Sequence, residues 1–245
     1  EIVEIELSFS GKLERPAPSD VLSNYEAEVA YVDEHLEKLD TLLASLGPRE
    51  DTLFVVVSDH GEGLFAHDLL GHATFVFEDQ LRVVWIMRGA GLPEGQVVAS
   101  APALLMDVAP TILELIGLET DGMEGKSRLS CWEGSRCPET PVWWSFGLDH
   151  EARRITGMSG YRWPYKWMWR RSFPRSGFDL EADPWEQVDL LEEPGPHNPE
   201  PLKDVAERFH EVRRELADSL RQPQGDSVSS ERERLLRSLG YLKGK

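Results

Sequence analysis

The 245 residues predict an α/β layered domain followed by a small antiparallel sheet and a terminal helix. Three observations predict it. Continuous β-branched runs alternate with amphipathic stretches over the first half, which is the order of a layered α/β domain. Near Gly125 the texture changes to short aromatic-rich pieces separated by turn residues. A Pro-rich linker, Glu193 to Pro201, then leads into a second amphipathic pattern.

Glu1 to Leu7 alternate acidic and apolar residues, as in a short edge strand. Gly11, Pro16 and Pro18 mark a loop. Ser23-Asn24-Tyr25-Glu26 reads as a capping box, with Ser23 at the N-cap of a helix. Val29, Val32, Leu36, Leu39, Leu43 and Leu46 form its apolar face, and Gly47-Pro48 ends it. Leu53 to Val57 suits a strand buried on both faces of a parallel sheet. Leu81 to Met87 is a second such run, stopped at Gly89. Asp107 caps a further helix that Gly117 closes.

Val142 to Phe146, Ile155 to Ser159, Tyr161 to Trp163, Lys166 to Arg170 and Gly177 to Leu180 predict a small antiparallel sheet. Six of the eight tryptophans lie between Trp143 and Trp185, and they read as a core covering one sheet face rather than as a carbohydrate platform. Leu202, Val205, Phe209, Val212, Leu216 and Leu220 mark the last helix. Gln222 to Ser230 is polar, and Leu235 to Leu242 is a short apolar end. The organisation is an α/β part over 1–128, a β subdomain over 129–195, and a helix with tail over 196–245.

The formal charge is −18, from 44 acidic and 26 basic residues. Such a chain repels phosphate backbones, so nucleic acid is not an expected partner. No apolar run is long enough to span a bilayer. Cys131 and Cys137 close a short Gly-containing loop as a disulfide, or stand as two thiols near a turn; spacing alone allows both.

In open α/β sheets, ligands bind beyond the carboxyl ends of the strands, where Asp59 and His60 stand. A carboxylate beside an imidazole can give two ligands to a divalent cation. On spacing alone the pair can equally cap a turn. The wider segment is more specific. Ser58-Asp59-His60-Gly61-Glu62-Gly63-Leu64, then His67, Gly71-His72, Glu78 and Leu81-Arg82-Val83, resembles a signature block of the sulfatase family, in the alkaline phosphatase superfamily. Tyr25 to Asp33 resembles the family's preceding helix. Arg88 to Pro93 and Asp107 to Thr111 resemble its downstream turn and helix. Phe178 to Glu186 resembles its C-terminal YDL-x-x-DP-x-E segment, and Leu235 to Leu242 a tail of bacterial members.

The resemblance implies a partial alkaline-phosphatase-like mixed sheet flanked by helices. It implies that Asp59 and His60 are metal ligands, with calcium favoured and magnesium or manganese open. His72, thirteen residues after Asp59, matches a position that touches the sulfate, where an imidazole could stabilise the anionic ester or assist the leaving oxygen. His67 lines the site or fixes a loop; Glu62 supports the turn; Arg82 begins a strand and pairs with Glu78. The implied substrate is a small anionic sulfate ester, in the periplasm or outside the cell.

The family's nucleophile motif, Cys/Ser-x-Pro-x-Arg, whose first residue becomes formylglycine, has no match here: Cys131-Trp132-Glu133 and Cys137-Pro138-Glu139 both depart from it. The expectation is therefore a sulfatase-like fragment, with a complementing N-terminal chain or segment as partner. Phosphodiesterases, phosphonate monoester hydrolases and phosphoethanolamine transferases share a similar Asp-His block and stand as alternatives. A non-catalytic binding module that kept the fold is the alternative from another class.

Overall fold

The computed structural model describes residues 17–72, 75–89, 91–93, 95–98, 102–132, 137–138, 142–149, 154–171, 173–191 and 199–221. The expected strand at Glu1 to Leu7, the segment Gln222 to Ser230 and the end Leu235 to Leu242 lie outside these residues. The first element among the described residues is helix α1, Pro18–Leu46. It begins five residues before Ser23, so Ser23 is not its N-cap; Ala17 is, in extended conformation. Pro18 explains the earlier start, because the first helical position needs no N–H and suits the fixed proline φ. No residue of α1 is buried. The predicted stripe is present but largely uncovered: Val29, Val32, Leu39 and Leu46 are exposed, and Leu36 and Leu43 are half-buried.

Strand β1, Phe54–Val57, follows. A two-stranded hairpin, β2 (Gly63–Leu64) with β3 (Leu70–Gly71), a one-turn helix α2 (Glu78–Leu81) and strand β4 (Trp85–Arg88) come next. The hairpin and α2 return the chain, so β4 runs antiparallel to β1, with Val57 opposite Trp85 and Phe54 opposite Arg88. This corrects the parallel-sheet reading. Every strand pairing among the described residues is antiparallel. β1 is half-buried rather than buried on both faces, and Val57, Val84 and Ile86 are exposed. The second apolar run begins as α2, and Arg82 follows that helix instead of opening a strand: its N–H donates to the Glu78 carbonyl. Asp40 of α1 takes both Arg88 and, at 2.9 Å, Arg49, which ties the helix to the sheet.

Helix α3, Val108–Leu115, ends at Gly117, whose φ of +75° suits glycine. Asp107 precedes α3 as expected but makes no capping bond to it. Its buried carboxylate instead accepts the N–H groups of Leu104 and Lys126 and meets Arg128 at 2.7 Å. Helix α4, Leu129–Trp132, carries Cys131, which is joined to Cys137 as a disulfide.

Four strands then form an antiparallel meander: β5 (Trp143–Asp149), β6 (Arg154–Arg162), β7 (Tyr165–Arg170) and β8 (Ser176–Asp179). Two expected pieces fuse into β6 because Gly160 does not break it. A Cβ there would fall 2.5 Å from both Trp144 and Val205 side chains, so the glycine admits close packing. Helix α5, Glu200–Arg221, covers one sheet face with Leu202, Val205 and Phe209. Side chains of β7 alternate between faces, as strand geometry demands. Trp167 and Tyr165 pack toward α5, whereas Met168 joins Tyr161, Phe178, Val76 and Phe77 on the opposite face. The sheet is thus sandwiched between α5 and the segment that carries the site. The tryptophans do not cover a single face as expected: Trp144, Trp167 and Trp169 pack on the α5 side, with only Trp167 buried, Trp143 packs on the opposite side, and Trp163 and Trp185 are exposed. Among the described residues no helix is long and apolar enough to cross a membrane.

Candidate functional site

Ser58 follows β1 and is fixed by two bonds to Val84: its N–H donates to the Val84 carbonyl (3.1 Å), and its Oγ accepts the Val84 N–H (2.9 Å). The chain then turns, and Asp59 and His60 emerge beyond the strand. The Asp59 carboxylate is 81 % exposed and accepts the His60 N–H at 3.0 Å. His60 Nδ1 donates to the Gly61 carbonyl at 2.7 Å. That bond places the ring proton on Nδ1 and makes Nε2 the nitrogen with a lone pair to offer.

Nε2 lies 3.6 Å from Asp59 Oδ1. Two donors at right angles around one cation, each at about 2.4 Å, would stand about 3.4 Å apart, and a smaller cation would bring them to about 3.0 Å. The 3.6 Å spacing is close to the larger-cation value and too wide for the smaller one. No group of three or more His, Cys, Asp or Glu side chains is arranged for a metal among the described residues.

The turn is held from below. The Gly61 N–H donates to the Gln80 carbonyl of α2 at 2.9 Å, and a Cβ at Gly61 would fall 2.2 Å from the Asp79 carbonyl oxygen. Only glycine permits this approach. The hairpin β2–β3 pairs Gly63 with Gly71 and so sets residue 72 beside residue 62. His72 Nδ1 donates to Glu62 Oε2 at 3.0 Å, which leaves Nε2 for a partner outside. The His60 and His72 rings stack at 4.1 Å with planes 27° apart. Asp59, His60 and His72, named from the sequence, thus come together on one exposed surface, and Glu62 orients His72 rather than adding a donor.

His67 does not join them. It lies under the hairpin, stacked on Phe77 at 3.8 Å and 3.6 Å from Asp79 Oδ2. Burial alone would lower its pKa, but the Asp79 carboxylate and Glu186 outweigh it, and the net shift is upward. Arg82, expected beside Glu78, helps through its charge to lower the Glu78 carboxyl pKa, and its guanidinium lies over the exposed Trp185 ring at 5.9 Å.

Sequence reasoning missed a buried polar cluster behind the site. Lys166 of β7, fully buried, lies 3.0 Å from Glu78 Oε1 and 2.6 Å from Glu186 Oε1. Tyr161 donates to Glu78 Oε1 at 3.0 Å, and Glu186 Oε2 accepts the Glu78 N–H at 2.6 Å. Against the pull of burial, Lys166 holds the Glu78 carboxyl below its usual range. Burial, joined by the charge of Glu78, pushes Glu186 up. Period-2 alternation along β7 was the available signal. It sends Lys166 to the face opposite Trp167 and Trp169, toward the site.

A family model described as Sulfatase matches residues 7–118. Choline-sulfatase of Rhizobium meliloti (strain 1021) is 30 % identical over 174 residues, which is 69 % of this chain and 33 % of that protein. Among solved structures, phosphonate monoester hydrolase of Agrobacterium radiobacter matches with a TM-score of 0.55 at 24 % identity, covering 79 % of this chain and 39 % of that one. A protein solved with its substrate D-glucosamine-2-N,6-O-disulfate matches at 0.57 and 19 % identity, covering 81 % and 41 %. At these identities the structural likeness establishes the fold. The chain spans about a third of the length of the choline-sulfatase. The matched segment, residues 7–118, is part of a sulfatase-family domain, of the alkaline phosphatase superfamily.

Proposed function

We propose that this chain supplies one half of the catalytic site of a sulfuric ester hydrolase: two ligands to a divalent cation, Asp59 and His60, and an anion contact, His72. The observation that carries the reading is the 3.6 Å separation of Asp59 Oδ1 and His60 Nε2, with the His72 ring stacked directly on His60. A divalent cation, calcium by family resemblance, would supply Lewis-acid stabilisation of charge on a sulfuryl oxygen. The residues of this chain do the rest of what is assigned here. Asp59 and His60 bind. Glu62 fixes the His72 tautomer, and His72 Nε2 meets the ester anion or its leaving oxygen. The substrate class is a small sulfate ester, and the disulfated sugar held by a protein of the same fold supports that choice.

Two protein donors seldom hold a hard cation tightly, because water replaces the missing ligands at little loss. The remaining ligands and the nucleophile are therefore assigned to a complementing N-terminal segment. The largely uncovered apolar stripe of α1 supports such a neighbour.

Assaying the chain with an aryl sulfate and an aryl phosphate, alone and mixed with a family segment bearing the nucleophile motif, tests this. The expected result is no turnover alone, and aryl sulfate turnover on mixing that Asp59→Asn abolishes. Asp59-dependent turnover by the chain alone would contradict the half-site. Preference for the phosphate would favour a phosphonate-hydrolase-like reaction, which the likeness to that fold makes the second reading.

A further inference from the structure

We propose that Lys166 is a positioning residue: clamped between Glu78 and Glu186, it sets the Asp59–His60 pair through helix α2. The inference rests on the metal-binding reading above and adds a residue that neither the family block nor the site surface contains.

The path is short and consists of direct contacts. Glu78, the first residue of α2, is gripped twice from the C-terminal sheet. Its side chain takes Lys166 and Tyr161 at 3.0 Å each, and its backbone N–H donates to Glu186 Oε2 at 2.6 Å. Tyr161 is in turn reached by the Ser159 hydroxyl at 3.2 Å. The next two residues of α2 meet the metal-binding turn. The Asp79 carbonyl oxygen lies where a Cβ of Gly61 would come within 2.2 Å, and the Gln80 carbonyl accepts the Gly61 N–H at 2.9 Å. Gly61 adjoins His60 and accepts the His60 Nδ1 proton that selects its tautomer. The clamp, α2, Gly61 and His60 thus form one continuous series of contacts.

The choice of charged residues supports a positional role. A buried ion triad is weak as a source of stability, since apolar residues of like volume commonly do as well. It is strong as a source of geometry, because each oxygen accepts only from defined directions. Here three donors converge on the carboxylates at the start of a four-residue helix, which has too few internal bonds to hold its own place. Ligands must be held to within about 0.5 Å to bind well, so a helix free to shift would blur the pair.

The test follows the Gly61 amide and the His60 and His72 imidazole resonances by NMR, without cation and through a calcium titration. Three variants are compared with wild type: Lys166→Met, Glu186→Gln and Tyr161→Phe. Lys166→Met strands two carboxylates and risks unfolding. Glu186→Gln keeps the Glu78–Lys166 charge balance but has one acceptor oxygen too few for its two donors. Tyr161→Phe removes a single donor. The folded variants are expected to move the Gly61 amide and both imidazoles in the cation-free protein, and to weaken calcium by about tenfold or more, as outer residues behind metal ligands do. Variants that lower the melting temperature while leaving these resonances and the calcium affinity unchanged would overturn the proposal. If wild type shows no calcium-dependent shift, the metal reading fails, and the cation-free resonances still decide the positioning role.

Discussion

Gly61→Ala is the sharpest perturbation of the turn that bears Asp59 and His60. The added Cβ would lie 2.2 Å from the Asp79 carbonyl oxygen and 2.9 Å from that of Arg82, both backbone atoms that cannot swing aside. Carbon and oxygen ordinarily meet at about 3.3 Å, so the worse overlap is about 1 Å. Relieving it costs about 1–3 kcal/mol in strain. Opening the Gly61 N–H bond to Gln80 removes about 1 kcal/mol more. A total of about 3 kcal/mol corresponds to a fall of about 6–12 °C in melting temperature for a chain this size. Thermal unfolding followed by circular dichroism reads it. Gly71→Ala is the control: it has the same added atom and a φ of +94°, but nothing within 4 Å, so its cost is conformational and about 1 kcal/mol. If Gly61→Ala melts within about 2 °C of wild type, or no lower than Gly71→Ala, α2 does not bear on the turn as described.

Other consequences follow from the same structure. His67 has a pKa raised above 6.5, so its pairing with Asp79 contributes stability that is complete below 6.5 and lost as pH rises through the higher folded value. The urea midpoint of His67→Asn should therefore lie furthest below wild type at mildly acidic pH, with the gap narrowing as the medium becomes alkaline; a gap that widens with pH would contradict the assignment. Phe209 is buried against Trp167, with ring centroids 4.4 Å apart. Phe209→Ala should cost about 3–5 kcal/mol by denaturant unfolding, and a loss under about 1 kcal/mol would mean α5 is not the cover of that sheet face.

The parts legible in the sequence were those set by local pattern. The aromatic pieces from Val142 to Leu180 announced the meander because each satisfies strand periodicity between turn residues. The stripe from Leu202 to Leu216 announced α5, and the Ser58 to His72 block held the Asp59, His60 and His72 side chains that the turn and hairpin bring together. What periodicity could not give was partnership. Phe54 to Val57 reads alike in a parallel core strand and in an antiparallel, half-exposed pair; the choice depends on how the chain returns through α2. Ser23 met the rule for a cap, yet Pro18 offered an earlier start. Lys166 lies in an aromatic run, where nothing local says that two carboxylates distant in sequence will enclose it. The tertiary partners of Glu78 and Glu186 decide that.

The central claim is that Asp59 and His60 bind one divalent cation beside His72. Its most direct measurement is a titration of the chain with calcium, then manganese and magnesium, reading the His60 and His72 ring resonances (line broadening for manganese). The account predicts a saturable perturbation of His60 Nε2 that extends to the stacked His72 and vanishes in Asp59→Asn. No perturbation by any of the three cations, or one that persists unchanged in Asp59→Asn, would contradict it.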